Sequence, residues 1–115
     1  MSDTRHDKLI SALIATAAEF FNLHSSKFSM ITITGCELSR DGREATFLIS
    51  VYPTDKEDAA IDFAKRNRSE LREYLMTHIK SRSIPRVDVI IDEGEKNRQR
   101  IDELLNQAEK NKKTE

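Results

Sequence analysis

Three cations, Lys65, Arg68 and Arg72, stand at offsets of three and four residues, the spacing that puts side chains on one face of a helix. Arg66 lies among them, and Lys80, Arg82 and Arg86 follow within a short stretch. Guanidinium and ammonium groups carried on a helix and on the turn after it suit contacts to phosphate oxygens, which position a protein on a nucleic acid without reading its sequence. From Asp62 to Arg86 the chain has seven Lys or Arg and three acidic residues, a local balance of +4. The remainder of the 115 residues carries twelve basic and seventeen acidic side chains, or −5, which leaves a net charge of −1. A basic segment in an otherwise acidic chain points to a polyanionic partner. On charge alone, a merely solvated helix face competes with that reading.

Other chemistry is poorly supplied. His6, His24 and His78 are isolated, without His-Glu-x-x-His spacing, and the single Cys36 offers no paired thiols for zinc or an internal disulfide. Cys36 lies in a strand-like run, where a small buried thiol is expected rather than a nucleophile, and one cysteine fits a reducing cytosol. Asp88 and Asp92, with Glu93 and Glu95, could bind a hard cation or exchange protons, but no nucleophile or phosphate loop accompanies them. There is no Gly-x-Ser-x-Gly elbow either. The expectation is a non-enzymatic protein with no cofactor and no metal. No apolar run approaches the ~18 residues of a membrane span, so no membrane partner is expected and the location is read as cytoplasmic. Aromatic residues are 6% with no Trp, which argues against base-stacking platforms.

The elements that must carry these side chains follow from periodicity. Leu9, Ile10, Leu13, Ile14, Ala17 and Phe21 repeat every three or four residues and predict a first helix from Asp7 to about Leu23. ITITGCEL and ATFLISVY read as two strands, and the Asp41-Gly42 pair between them signals a hairpin. In the second strand Ala45, Phe47, Ile49 and Val51 share a face. In the first, Ile31 and Ile33 are out of phase with Cys36 and Leu38, which predicts a bulge at Gly35. Thr54 and Asp55 offer a helix cap, after which a helical pattern runs from about Lys56 to Lys80. Ile84-Pro85 ends it. Val87 to Asp92 is a third strand, and Ile101, Leu104, Leu105 and Ala108 mark a last helix. Residues 1–6 are expected to be flexible, 7–109 to form one domain, and 110–115 to be a disordered tail. A chain of this length buries roughly two-thirds of its unfolded surface, enough for one core.

Asn67 disturbs this regularity. The apolar line through Leu75 and Leu71 continues back through Asn67 to Ala64 and Ala60. A buried amide costs free energy unless it is hydrogen-bonded, and bending the helix there frees backbone groups for it. Ser69 could assist by bonding back to a carbonyl one turn earlier.

ITITGCELSRDGREATFLISVY, NRSELREYL, IPRVDVIIDE and RIDELL, in that order, resemble ribosome-binding factor A of bacteria and organelles. The similarity covers about residues 7 to 108. It implies an α+β fold: a single type II KH-like domain, a three-stranded sheet with helices packed on one face, in the order α-β-β-α(broken)-β-α. That family breaks its main helix at an Ala-x-Gly interruption, which falls here on Asn67, Arg68 and Ser69. The glycine is missing, so a softer bend is expected. HSSKFSM replaces the Asp-Pro-Arg-like loop that family members often carry before the first strand. The Gly-x-x-Gly loop by which KH domains usually clamp single strands cannot exist either, since the only glycines are Gly35, Gly42 and Gly94.

The resemblance implies a small-subunit assembly factor. Its partners would be the small (30S) ribosomal subunit and its precursor rRNA, bound through Lys65, Arg66, Arg68, Arg72, Lys80, Arg82 and Arg86. It also implies roles in late maturation, rRNA 5′-end processing and growth in the cold, with a ribosomal GTPase often assisting release. A monomer is expected. The alternatives are a KH-like module for another structured RNA, or a protein-interaction domain.

Overall fold

The computed structural model describes residues 4–24, 30–81 and 83–113. Residues 1–3 of the expected flexible start, 25–29 of the HSSKFSM loop, Arg82 and the last two residues lie outside the described residues. The elements are α1 (Thr4–His24), β1 (Met30–Leu38), β2 (Glu44–Tyr52), α2 (Glu57–Arg66), α3 (Arg68–His78), β3 (Arg86–Ile91) and α4 (Glu93–Lys113), with a 3₁₀ turn at Thr54–Lys56 before α2.

β1 and β2 form the expected hairpin. Gly42 takes φ of 71°, a left-handed conformation that suits glycine, and its N–H donates to the Ser39 carbonyl at 2.9 Å. Asp41 accepts from the Ser39 hydroxyl at 2.7 Å and the Arg43 N–H at 3.1 Å, which closes the turn. The register slips between Ile33 and Gly35, so the bulge falls at Thr34, and Ile31, Ile33, Cys36 and Leu38 all turn to the core. β3 pairs parallel to β2, in the order β1-β2-β3, with Glu44 opposite Arg86 and Ile49 opposite Ile91. A parallel pair needs a long crossover, and α2 with α3 supplies it.

The core is built on one sheet face. Ala45, Phe47, Ile49 and Val51 of β2 alternate inward and meet Leu13, Ala17 and Phe21 of α1. Ala60 and Ala64 of α2 and Leu71 and Leu75 of α3 complete it with Val87 and Val89. Each fully buried large side chain here is worth about 1.5–3 kcal/mol relative to exposure. α1, α2 and α3 thus cover one face, the type II KH-like arrangement that the resemblance implied. α4 does not join them: Ile101, Leu104 and Leu105 are 57%, 65% and 59% exposed. The Cα radius of gyration is 16.8 Å, against about 13 Å for a compact chain of this length.

Several boundaries differ from expectation. α1 begins at Thr4 rather than Asp7, and α4 continues to Lys113, into the stretch expected to be a disordered tail. Thr54 and Asp55 do not cap α2; Lys56 precedes it, with no side-chain cap bond. α3 ends at His78 because Ile79 turns extended, at φ −114° and ψ 125°. β3 is Arg86–Ile91, and Asp92 leaves the strand to start α4.

Candidate nucleic-acid interface

The helical pattern from Lys56 to Lys80 is two helices joined by one residue. Asn67 has φ −106° and ψ 19°, the sparsely populated bridge region, so the break needs no positive φ and no glycine. Its side-chain amide donates to the Phe63 carbonyl at 2.8 Å, and its own N–H reaches the same oxygen at 3.1 Å. The second device is not Ser69, which makes no side-chain hydrogen bond among the described residues. Arg68 takes that part: its Nε donates to the Lys65 carbonyl at 3.2 Å. The two helices pack on different partners: α2 rests on β3 and β2, while α3 rests on α1 and β3.

The break aims the cations at the free edge of β3. Arg68 crosses from the start of α3, with Nη1 3.5 Å from Asp88 Oδ1. Arg72, one turn on, donates from Nη2 to the Ile84 carbonyl at 2.9 Å and from Nε to that of Pro85 at 3.3 Å. It therefore clamps the segment that enters β3. Lys65 lies on the groove between α2 and β3, beside Val89, Ile90 and Ile91, and its ammonium is exposed with no hydrogen bond among the described residues. Arg86 opens β3, exposed, with its main-chain N–H on the Arg43 carbonyl at 2.8 Å. Lys65 and Arg68 thus stand at the free edge of β3, Arg72 at the segment that enters it, and Arg86 at its first residue, beside the hairpin. Arg66 donates from Nε to the Asp62 carbonyl at 3.3 Å and shares a hollow with Asp62 and Lys65, and exposed Lys80 follows the end of α3. Arg82 lies outside the described residues.

Charge along the groove is polarised. Glu57, Asp58 and Glu93 stand at the end where β3 passes into α4, and Lys65 at the other. Glu57 is held there by Lys96, whose Nζ is 3.0 Å from Oε1. A polyanion is therefore favoured only from Lys65 toward Arg86.

Arg43 was not singled out from the sequence. The parallel register places it beside Arg86, around a hollow shared with Ser39, Asp41 and Glu44. Its guanidinium is 86% exposed and only 4.0 Å from Asp41. An exposed arginine in a hairpin carries no local signal; only the strand pairing relates it to the edge.

Asp88 and Asp92, two of the acids weighed for catalysis, have structural partners. Asp88 meets Arg68 and also accepts the Val89 N–H at 2.8 Å. Asp92 accepts from the Thr34 hydroxyl at 2.6 Å and the Glu95 N–H at 3.0 Å, capping α4. These bonds, that of Thr34 first, hold its carboxyl below the usual range. Cys36 is half-buried, and burial, with Glu37 nearby, pushes its thiol up to about 11, the reverse of an activated nucleophile.

The family profile of ribosome-binding factor A matches residues 3–105. The crystal structure of ribosome-binding factor A from Thermus thermophilus is similar at a TM-score of 0.66 and 20% identity, over 74% of this chain and 93% of that one. A Thermus thermophilus ribosome-binding factor A model, fitted into a cryo-EM map of its complex with the 30S subunit, is similar at 0.63 and 20%, over 70% of this chain and 88% of that one. The solution structure of a Thermotoga maritima protein gives 0.63 and 18%, over 78% and 90%. At these identities the structural likeness speaks for the fold. No curated protein matches the sequence. Because the family profile spans nearly the whole of the folded chain, from α1 through β3 and into α4, the protein belongs to the ribosome-binding factor A family.

Proposed function

We propose that this protein is an assembly factor that binds immature small-subunit rRNA and acts by binding energy alone, holding an rRNA conformation that the mature subunit does not keep. The observation that carries the proposal is the gathering of cations around β3: Lys65 and Arg68 at its free edge, Arg72 at its entry and Arg86 at its start. Cations gathered around one strand suit the phosphates of a folded RNA, and helices joined by a single residue leave no loop for the usual KH clamp. Family membership and the 30S complex of the Thermus relative support the choice of partner. Lys80 and Arg66 add to the contact, and Arg82 is assigned to it from the sequence. The site of action is the cytoplasm, and the protein works as a monomer in late maturation and 5′-end processing, including growth in the cold. Release is assisted by a ribosomal GTPase.

Lys65→Glu with Arg86→Glu tests the surface, because neither side chain has a hydrogen-bonded partner within the protein among the described residues. Binding to small-subunit precursors at fixed salt should weaken by at least ~2 kcal/mol, since reversal replaces attraction to phosphate with repulsion. Unchanged co-sedimentation of the double variant would remove this edge from the interface.

A further inference from the structure

We propose that Asp88 is a built-in competitor for the phosphate that Arg68 takes, and so limits how long the basic edge holds RNA. This rests on the RNA-binding reading above. Arg68 lies among these cations and is aimed by two contacts. Its Nε is held on the Lys65 carbonyl at 3.2 Å, and its Nη1 then meets Asp88 Oδ1 at 3.5 Å. Asp88 is itself held in place. The amides of Arg86 and Asp92 donate to Arg43 and Ile49, across to β2 and its hairpin end, so alternation turns the Val89 N–H to the free edge. That N–H donates to Asp88 Oδ1 at 2.8 Å. One carboxylate therefore covers an open donor of the edge strand and faces the guanidinium from α3.

A carboxylate presents to a guanidinium the same kind of charged oxygen acceptors as a phosphate. The two side chains are 49% and 48% exposed, so phosphate can reach Arg68 without any element moving. To do so it must displace Asp88 and then remain near its charge. A pair this exposed is weak, so the exchange costs a few-fold in affinity and does not prevent binding. Its consequence is kinetic: whenever the phosphate contact opens, Asp88 recaptures Arg68, and the complex comes apart sooner.

Asp88→Asn removes the charge and keeps an oxygen for the Val89 N–H. It should bind small-subunit precursor particles about threefold to tenfold more tightly at fixed salt, mainly through slower dissociation. The control is the same substitution in an Arg68→Ala background, where the gain should shrink to less than about half. An equal gain in both backgrounds means that Asp88 acts only as a distant negative charge, and overturns the proposal. No gain from Asp88→Asn, in a protein whose binding is still lost with Lys65→Glu and Arg86→Glu, overturns it as well. Binding indifferent to Lys65→Glu and Arg86→Glu defeats the RNA-binding reading itself. Thermal melting checks the fold of each variant; should Asp88→Asn unfold, Asp88→Ser, which also keeps an acceptor for Val89, replaces it in the cycle.

Discussion

Arginines that look alike in the chain do different work once folded. Arg72 spends its donors on the carbonyls of Ile84 and Pro85 and fixes the entry to β3. Lys65 and Arg86 make no such side-chain bonds among the described residues. Hydrogen bonds from a charged donor to otherwise unpaired carbonyls count for more than those of neutral groups. Arg72→Ala should therefore lower unfolding stability by about 1–2 kcal/mol, whereas Lys65→Ala and Arg86→Ala should stay within about 0.5 kcal/mol of the parent. Urea unfolding of the three variants decides it, and an Arg72→Ala as stable as the other two would mean that the clamp is idle. An RNA-binding assay on Arg72→Ala would then mix any direct effect with a displaced β3. That is why the pair Lys65 and Arg86 is the cleaner probe of the surface.

The junction of β1, β3 and α4 shows how one irregularity positions the next element. The bulge lifts Thr34 out of register with β2, and its hydroxyl, 3.1 Å from the Leu48 carbonyl, meets Asp92 at 2.6 Å. Asp92 in turn caps the N-terminus of α4 through the Glu95 N–H. Because these bonds favour the charged carboxylate, its folded pKa is lowered. A group lowered in the folded state contributes stability that is fully present above its unfolded value, about 3.9 for Asp, and is lost as pH falls through the folded value. The start of α4 should therefore hold until the pH drops below about 4. The Glu95 amide resonance should report this step with a midpoint below the ordinary carboxylate value, and Asp92→Asn should abolish it. A midpoint at or above that value would show that the cap does not favour the anion. The α2–α3 break is the other such junction, and there the Asn67 amide and packing on different partners, rather than glycine, accompany the interruption.

The chain divides energetically into a packed body and a projecting helix. Among the described residues, fifteen hydrophobic side chains form one buried cluster drawn from α1 through β3, and α4 contributes none of them. α4 is tied down at its first turns, by Asp92 and by the Lys96–Glu57 pair, whose side chains are only 23% and 15% exposed. Beyond these, Ile101, Leu104 and Leu105 face solvent. A chain ending at Arg98 should thus melt within about 2 °C of the full-length protein, since little apolar burial is lost. A drop of more than about 5 °C would show that the distal part of α4 packs on the body.

Much of this was legible in the residues themselves. Period-two alternation marked β2, period 3.6 marked α1, Asp41-Gly42 marked the hairpin, and the phase slip at Gly35 marked the bulge. Even the helix break could be read, because Asn67 interrupts an apolar line within two turns. These signals are local: each depends on side-chain direction or turn chemistry over a few residues. The position of the cations is not local. Parallel pairing of β2 with β3 joins segments separated by both α2 and α3, and it alone sets Arg86 beside Arg43 and Glu44. The same pairing leaves β3 at the sheet edge, where Asp88 meets Arg68 and where Ile84 and Pro85 engage Arg72. Composition and spacing determined that a basic helical segment exists and where it breaks; only the tertiary fold decided which of its charges are free, because their partners come from a strand that no local pattern ties to them.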